Sequence, residues 1–143
     1  MAAENEPIGV IGVGWVGLVT AACFAELGHP VFARDIDAEK VEALRRGAQL
    51  AIHEPGLPEL VAKNAERLTF TTDLREVLDA ARLLFVCVDT PPTPSGDADL
   101  SRVRTVVEEL GDSDHVLVMK STVPAGTGAA IKRDHPKATA PSR

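Results

Sequence analysis

Short, largely apolar runs alternate along the chain with stretches in which apolar positions recur every three or four residues. The short runs have the length of strands and the longer stretches the period of helices facing a core. Ile8–Ile11 reads as a buried strand, followed by a glycine-rich loop and a helix from about Val16 to Leu27 that Gly28 stops. Pro30–Arg34 is a second strand. Asp37 then N-caps a helix reaching Arg46, with Gly47 at its end. Residues 48–58 form a loop, and "LPELVAKNA" (57–65) a short helix. Residues 68–72 ("LTFTT") make a half-polar strand suited to a sheet edge. Asp73 and Glu76 have capping-box spacing at the start of a helix over 74–81. "LLFVCV" (83–88) is apolar throughout, the pattern of a strand buried on both faces. After a Pro-rich loop, "DADLS" (97–101) caps a helix of about 99–110, and "HVLVM" (115–119) is the fifth strand.

Strands separated by helices imply a parallel sheet with right-handed crossovers. The expected class is α/β: a Rossmann-type, doubly wound sheet of about five strands in the order 3-2-1-4-5. Residues 1–132 would form that domain. Residues 133–143, holding Pro136, Pro141 and a small basic excess, would form a disordered tail. The length of 143 residues fits one domain with a real core.

Charge and composition then narrow the partners. A net charge of −6 and only five aromatic residues argue against a nucleic-acid partner, which needs a basic face or stacking rings. Pro7–Ala25 carries no charge and nearly has the length of a membrane span. Four glycines crowd its first half, and no Lys or Arg precedes it, so neither a membrane helix nor a signal peptide is expected. A cytoplasmic protein is expected instead. Cys23 and Cys87 sit in apolar runs without C-x-x-C spacing and read as small buried hydrophobes. The four histidines are too scattered to suggest a metal site.

Gly12, Gly14 and Gly17 stand in G-x-G-x-x-G spacing between the first strand and first helix. Gly12 turns the chain sharply, Gly14 leaves room for a pyrophosphate, and Gly17 brings the helix close to the sheet. The helix N-terminus offers N–H groups and a positive dipole end to phosphate. Asp35, at the end of the second strand, is placed to accept hydrogen bonds from the adenosine ribose. A carboxylate there repels a 2′-phosphate, which favours NAD over NADP. Arg34 beside it could pair with such a phosphate, but an Arg at a strand end more often is simply solvated, and NAD remains the favoured cofactor.

The quoted loop runs on through "LVTAACFAELGH" and is followed by "DIDAEKVEALRRG", "IHEPGLPEL", "TTDL", "FVCVDTPPTPSGDADLSRV" and "KSTVPAGTG". In this order, over about residues 8–128, the chain resembles the N-terminal NAD-binding domain of the UDP-glucose 6-dehydrogenases, in the nucleotide-sugar dehydrogenase family. The resemblance implies oxidation of UDP-glucose to UDP-glucuronate with two NAD. It also implies that Gly12, Gly14 and Gly17 hold the pyrophosphate and Asp35 the ribose, with Trp15 and Val16 among the cofactor-binding residues. Val88 and Thr90 would line the path to the nicotinamide. Ser121 and Thr122 would stand beside it, Thr122 helping to order the catalytic water. "EPGL" (54–57) reads as a turn, and Lys120 as either a phosphate or substrate contact or a solvated residue. Asp89 and Ala125 depart from residues common in relatives, without altering the cofactor reading.

In such enzymes the nucleophilic cysteine, a catalytic Asp and the assisting Lys, Glu and Asn lie in later segments, none of which occurs in these residues. The sheet would also stop before a sixth strand. Cys23 and Cys87, as core residues away from the crevice mouth, would not substitute, and the chain alone is expected to be inactive. Three readings stand: a separate NAD-binding domain, one subunit of a split enzyme that meets a UDP-sugar only once the other half is supplied, or a non-catalytic interaction module. The apolar edge at 115–119 is expected to favour self-association.

Overall fold

In the computed structural model, which describes residues 5–46, 55–88, 93–96, 99–110 and 115–120, strands and helices alternate along the chain. The strands are β1 (Ile8–Ile11), β2 (Val31–Arg34), β3 (Leu68–Thr71), β4 (Leu83–Val86) and β5 (Val116–Met119). The helices are α1 (Trp15–Glu26), α2 (Ala38–Arg45), α3 (Leu57–Lys63), α4 (Leu74–Ala80) and α5 (Ser101–Leu110), with one 3₁₀ turn at Ala65–Arg67. All pairs are parallel, in the order β3-β2-β1-β4-β5, as the alternation predicts. Ile8 lies opposite Val31 on one side and Leu83 on the other, so the central strand is anchored in register from both neighbours.

The period of two along β1 sends Ile8 and Val10 to one face and Ile11 to the other. On the first face α1, α2 and α3 cover the sheet with Leu18, Ala21, Ala22, Val41, Leu44 and Leu57. On the second, α4 and α5 contribute Leu74, Val77, Val103, Val106, Val107 and Leu110. The Pro7–Ala25 stretch is thus a buried strand, a turn and a twelve-residue helix, and no helix among the described residues is long and apolar enough to cross a membrane.

Two local expectations are corrected. β4 is not buried equally on both faces: Leu84 and Val86 are sealed under α4 and α5, whereas Leu83 and Phe85 are only half-buried. On that side Phe85 rests against Phe24 of α1, ring centroids 4.8 Å apart, at the margin of the helix cover. The capping box of α4 is also not reciprocal. Asp73 accepts from the Arg75 N–H at 2.9 Å, but Glu76 accepts from the Thr71 hydroxyl at 2.8 Å. That same hydroxyl oxygen accepts from the Asp73 N–H at 3.0 Å, so buried Thr71 stands between the two acids. Asp37 caps α2 as expected, accepting from the N–H groups of Glu39 and Lys40, whereas α5 starts at Ser101, two residues later than expected, with Asp99 accepting from the Ser101 N–H. The expected helix stop at Gly47, most of the following loop, and the 133–143 tail lie outside the described residues.

Candidate dinucleotide site

β1 is followed by a crossover to β2 on one side, while β3 crosses back to β4 on the other. The order in which successive strands are laid down reverses between the parallel strands β1 and β4, and ligands of doubly wound sheets bind beyond the strand ends at such a point. Gly12, Gly14, Asp35 and Val88 all lie just past the C-terminal ends of β1, β2 and β4.

The glycine turn is tight in two measurable ways. Gly12 has φ +97°, and a Cβ there would meet the Cys87 carbonyl at 2.8 Å and the Val88 nitrogen at 2.9 Å. A Cβ on Gly17 would fall 1.8 Å from the Gly12 oxygen. The first turn of α1 is therefore pressed onto the loop, and the loop onto the end of β4. Gly14 is the N-cap of α1; no side chain caps the helix there and no acidic residue stands in its first turn. The positive end of the helix dipole is left for an anion. Trp15 is 55% exposed and Val16 38%, both at this helix start.

Asp35 is buried. Its Oδ2 accepts from the Val13 N–H at 2.8 Å and its Oδ1 from the Asp37 N–H at 2.9 Å. The Lys40 ammonium lies 3.4 Å from Oδ2. Neither Lys40 nor Ile36, which is 81% exposed directly after Asp35, is marked by the glycine-loop pattern. Lys40 could have been found from its place in the first turn of a helix capped by Asp37. Ile36 is an apolar residue between two acids at a strand end, and only the fold shows that it faces solvent.

Other expectations change. Arg34 is not simply solvated: its Nε donates to the Thr72 carbonyl at 3.2 Å, tying it to the end of β3. Cys23 is exposed, because the buried stripe of α1 runs through Gly17, Leu18, Ala21, Ala22 and Ala25 and leaves position 23 outside. Cys87 is buried as expected, yet it lies against the glycine turn and not away from the crevice, with its Cβ 3.4 Å from where a Gly17 Cβ would sit. Burial pushes its thiol up to about 11, against the smaller opposing effects of the Lys120 charge and the Thr20 hydroxyl. It is thus held as the neutral thiol and not as the nucleophilic thiolate. Val88 is half-buried and joins the second-face core. Lys120 is exposed, and its main-chain N–H donates to the Val86 carbonyl at 2.9 Å. Thr90, Ser121, Thr122, Asp89 and Ala125 lie outside the described residues.

Residues 6–140 match the NAD-binding domain of the UDP-glucose/GDP-mannose dehydrogenase family. The chain is 48% identical over 128 residues to UDP-glucose 6-dehydrogenase of Pseudomonas aeruginosa, covering 86% of this chain and 28% of that protein. It is 42% identical over 132 residues to the UDP-glucose 6-dehydrogenase TuaD of Bacillus subtilis, covering 89% and 28%. A solved UDP-glucose dehydrogenase from Pyrobaculum islandicum superposes with a TM-score of 0.84 at 34% identity, covering 97% of this chain and 35% of the other. The chain therefore spans about a third or less of the length of these proteins.

Proposed function

The chain belongs to the UDP-glucose/GDP-mannose dehydrogenase family, of which it carries the NAD-binding domain, and from that premise we propose how its residues receive the cofactor and what they serve. The pyrophosphate lies on the N-terminus of α1 over Gly12, Gly14 and Gly17, with Trp15 and Val16 at its side. Asp35 and Lys40 take the adenosine ribose, and Ile36 gives the adenine an apolar surface. Val88 and Thr90 line the way to the nicotinamide, and Ser121 and Thr122 stand beside it, Thr122 helping to order the catalytic water. The observation that carries this reading is the contact of Gly17 with the Gly12 carbonyl, which sets an uncapped helix start beside Asp35 at the switch point. NAD held by these residues would serve as the hydride acceptor.

In the complete reaction UDP-glucose is oxidised to UDP-glucuronate with two NAD, and the sugar and the nucleophilic cysteine come from a catalytic half beyond these residues. The relatives named for UDP-glucose support that substrate. Neither cysteine here is suited to the nucleophile's role: Cys87 is a buried neutral thiol, and Cys23 faces outward from the middle of α1. The proposed unit is residues 1–132, so deletion of 133–143 should leave NAD affinity unchanged. Two unpaired thiols suit a reducing, cytoplasmic setting.

The inward bonds of the Val116 and Lys120 N–H groups to the Arg82 and Val86 carbonyls leave the backbone of Leu117 and Met119 facing away from the sheet. We take that edge as a route to self-association. A sedimentation series that stays monomeric at all concentrations would count against it. The cofactor reading is tested by titrating the chain with NAD and NADP, then following NADH absorbance after adding UDP-glucose. Saturable NAD binding without NADH production is expected. Sugar oxidation by these residues alone would refute the assignment of the nucleophile to another segment.

A further inference from the structure

Asp35 is one of three buried polar or charged residues among those described, and both of its oxygens are engaged by main-chain donors. One donor, Val13, lies within the glycine turn, between Gly12 and Gly14. The other, Asp37, begins the cap of α2. Val13 is completely buried, so its N–H has no solvent to turn to if the carboxylate is removed. With φ +97° at Gly12, the chain bends so that this N–H points back across the end of β2. The Gly12 N–H donates to the Arg34 carbonyl at 2.8 Å, so two successive amides of the turn are gripped by successive residues of the β2 end.

From this geometry we propose that Asp35 has a second role, exercised in the ligand-free chain: it is the clamp that holds the glycine turn in its phosphate-binding shape. The idea rests on the cofactor site proposed above and adds a positioning role to a residue otherwise assigned only to the ribose. Lys40, at 3.4 Å and with a side chain 32% exposed, is the looser of the three partners. The two N–H bonds are shorter and sheltered from water. The carboxylate fixes the turn first, and the ribose meets a site already formed. Removing Asp35 should therefore weaken binding of the phosphates, which it does not touch, as well as of the ribose.

The test separates the two roles by ligand and by amide. Amide exchange in the ligand-free chain should show Val13 and Asp37 protected in the wild type and unprotected in Asp35→Ala. Asp35→Asn offers a single carbonyl oxygen and should protect only one of the two. Affinities are then compared for ADP and for 2′,3′-dideoxy-ADP, which lacks the ribose hydroxyls. Asp35→Ala should weaken the dideoxy compound about tenfold or more, the loss expected when a buried donor is left unpaired and the turn relaxes. If the dideoxy compound binds variant and wild type alike, Asp35 acts through the ribose alone and the clamp is wrong. Should Asp35→Ala not fold, the wild-type Val13 amide still decides, because rapid exchange there in the folded chain overturns the proposal. A chain whose Val13 protection is lost in Asp35→Ala but which binds neither NAD nor ADP would refute the cofactor site and, with it, the phosphate-binding purpose of the clamp, leaving Asp35 only a structural hold on the turn.

Discussion

Replacing Gly17 with alanine sets two effects against each other. Gly17 lies inside α1, where alanine is the better helix former by about 1 kcal/mol, so propensity alone predicts a more stable protein. The packing predicts the reverse. The new Cβ would fall 1.8 Å from the Gly12 oxygen and 2.9 Å from its carbon, and reaching even 3.0 Å needs a separation of about 1.2 Å. The obstacle is backbone and cannot rotate away. Nor can Gly12 retreat freely, since its own Cβ position is already 2.8 Å from the Cys87 carbonyl. Overpacking typically costs about 1–3 kcal/mol, and a rigid neighbour puts this site at the upper end. A net loss of about 1–2 kcal/mol follows, or a Tm lower by roughly 3–8 °C. The displaced helix start also loses at least one charge-assisted bond to phosphate, worth about 1.5–3 kcal/mol, or roughly a 10- to 100-fold weaker Kd for NAD. Calorimetric melting and NAD titration of Gly17→Ala measure both. A variant that melts higher and binds NAD within twofold of the wild type would refute this reasoning.

Further outcomes follow from the surroundings of particular residues. Unfolded, the Cys87 thiol ionises near the ordinary 9.0, but folded only near 11. Below pH 9 both states hold the proton; as pH rises from 9 to 11 the unfolded chain loses it first, and stability should fall by about 2–3 kcal/mol. Urea unfolding across that range should show this component in the wild type and not in Cys87→Ala, and at neutral pH a thiol reagent should label Cys23 long before Cys87. Hydrogen bonds from Asn64 and Lys63 hold the Glu26 carboxyl below the usual range, so their stabilisation is present above pH 4.5 and is lost as pH falls through the folded value. Glu26→Gln should lower stability at pH 7 and flatten its decline on acidification, as read by denaturant midpoints. Ile36→Ser should leave the unfolding free energy within about 0.5 kcal/mol, since the side chain is 81% exposed, yet weaken NAD roughly fivefold by removing apolar cover from the adenine.

Four strands were legible as compact, mainly apolar runs bounded by turn residues, and the half-polar pattern of β3 marked it as an edge. The glycine turn was legible too, since its spacing and context encode the close approach that Gly17 makes to Gly12. The exposed side of α1 was not. Alanine, cysteine, valine and phenylalanine surround that helix almost evenly, so no polar stripe marks the face on which Cys23 lies. Thr71 intercepting Glu76 depends on β3 ending beside the start of α4, a tertiary fact that a local capping pattern does not contain. The grip of Val13 and Asp37 on Asp35 is made by main-chain N–H groups, which every residue but proline possesses and which leave no mark on the sequence. Lys40 joins Asp35 only because α2, capped by Asp37, begins at Ala38 and turns its first coil back over the end of β2.

The most direct measurement is a calorimetric titration of the folded 143-residue chain with NAD and, in parallel, with NADP. The uncapped start of α1 beside a buried carboxylate predicts one saturable site for NAD, with NADP weaker by roughly tenfold or more through repulsion of its 2′-phosphate by Asp35. A folded chain that gives no saturable heat with NAD, or that takes NADP equally well, would contradict the assignment of Gly12, Gly14, Gly17 and Asp35 to the cofactor.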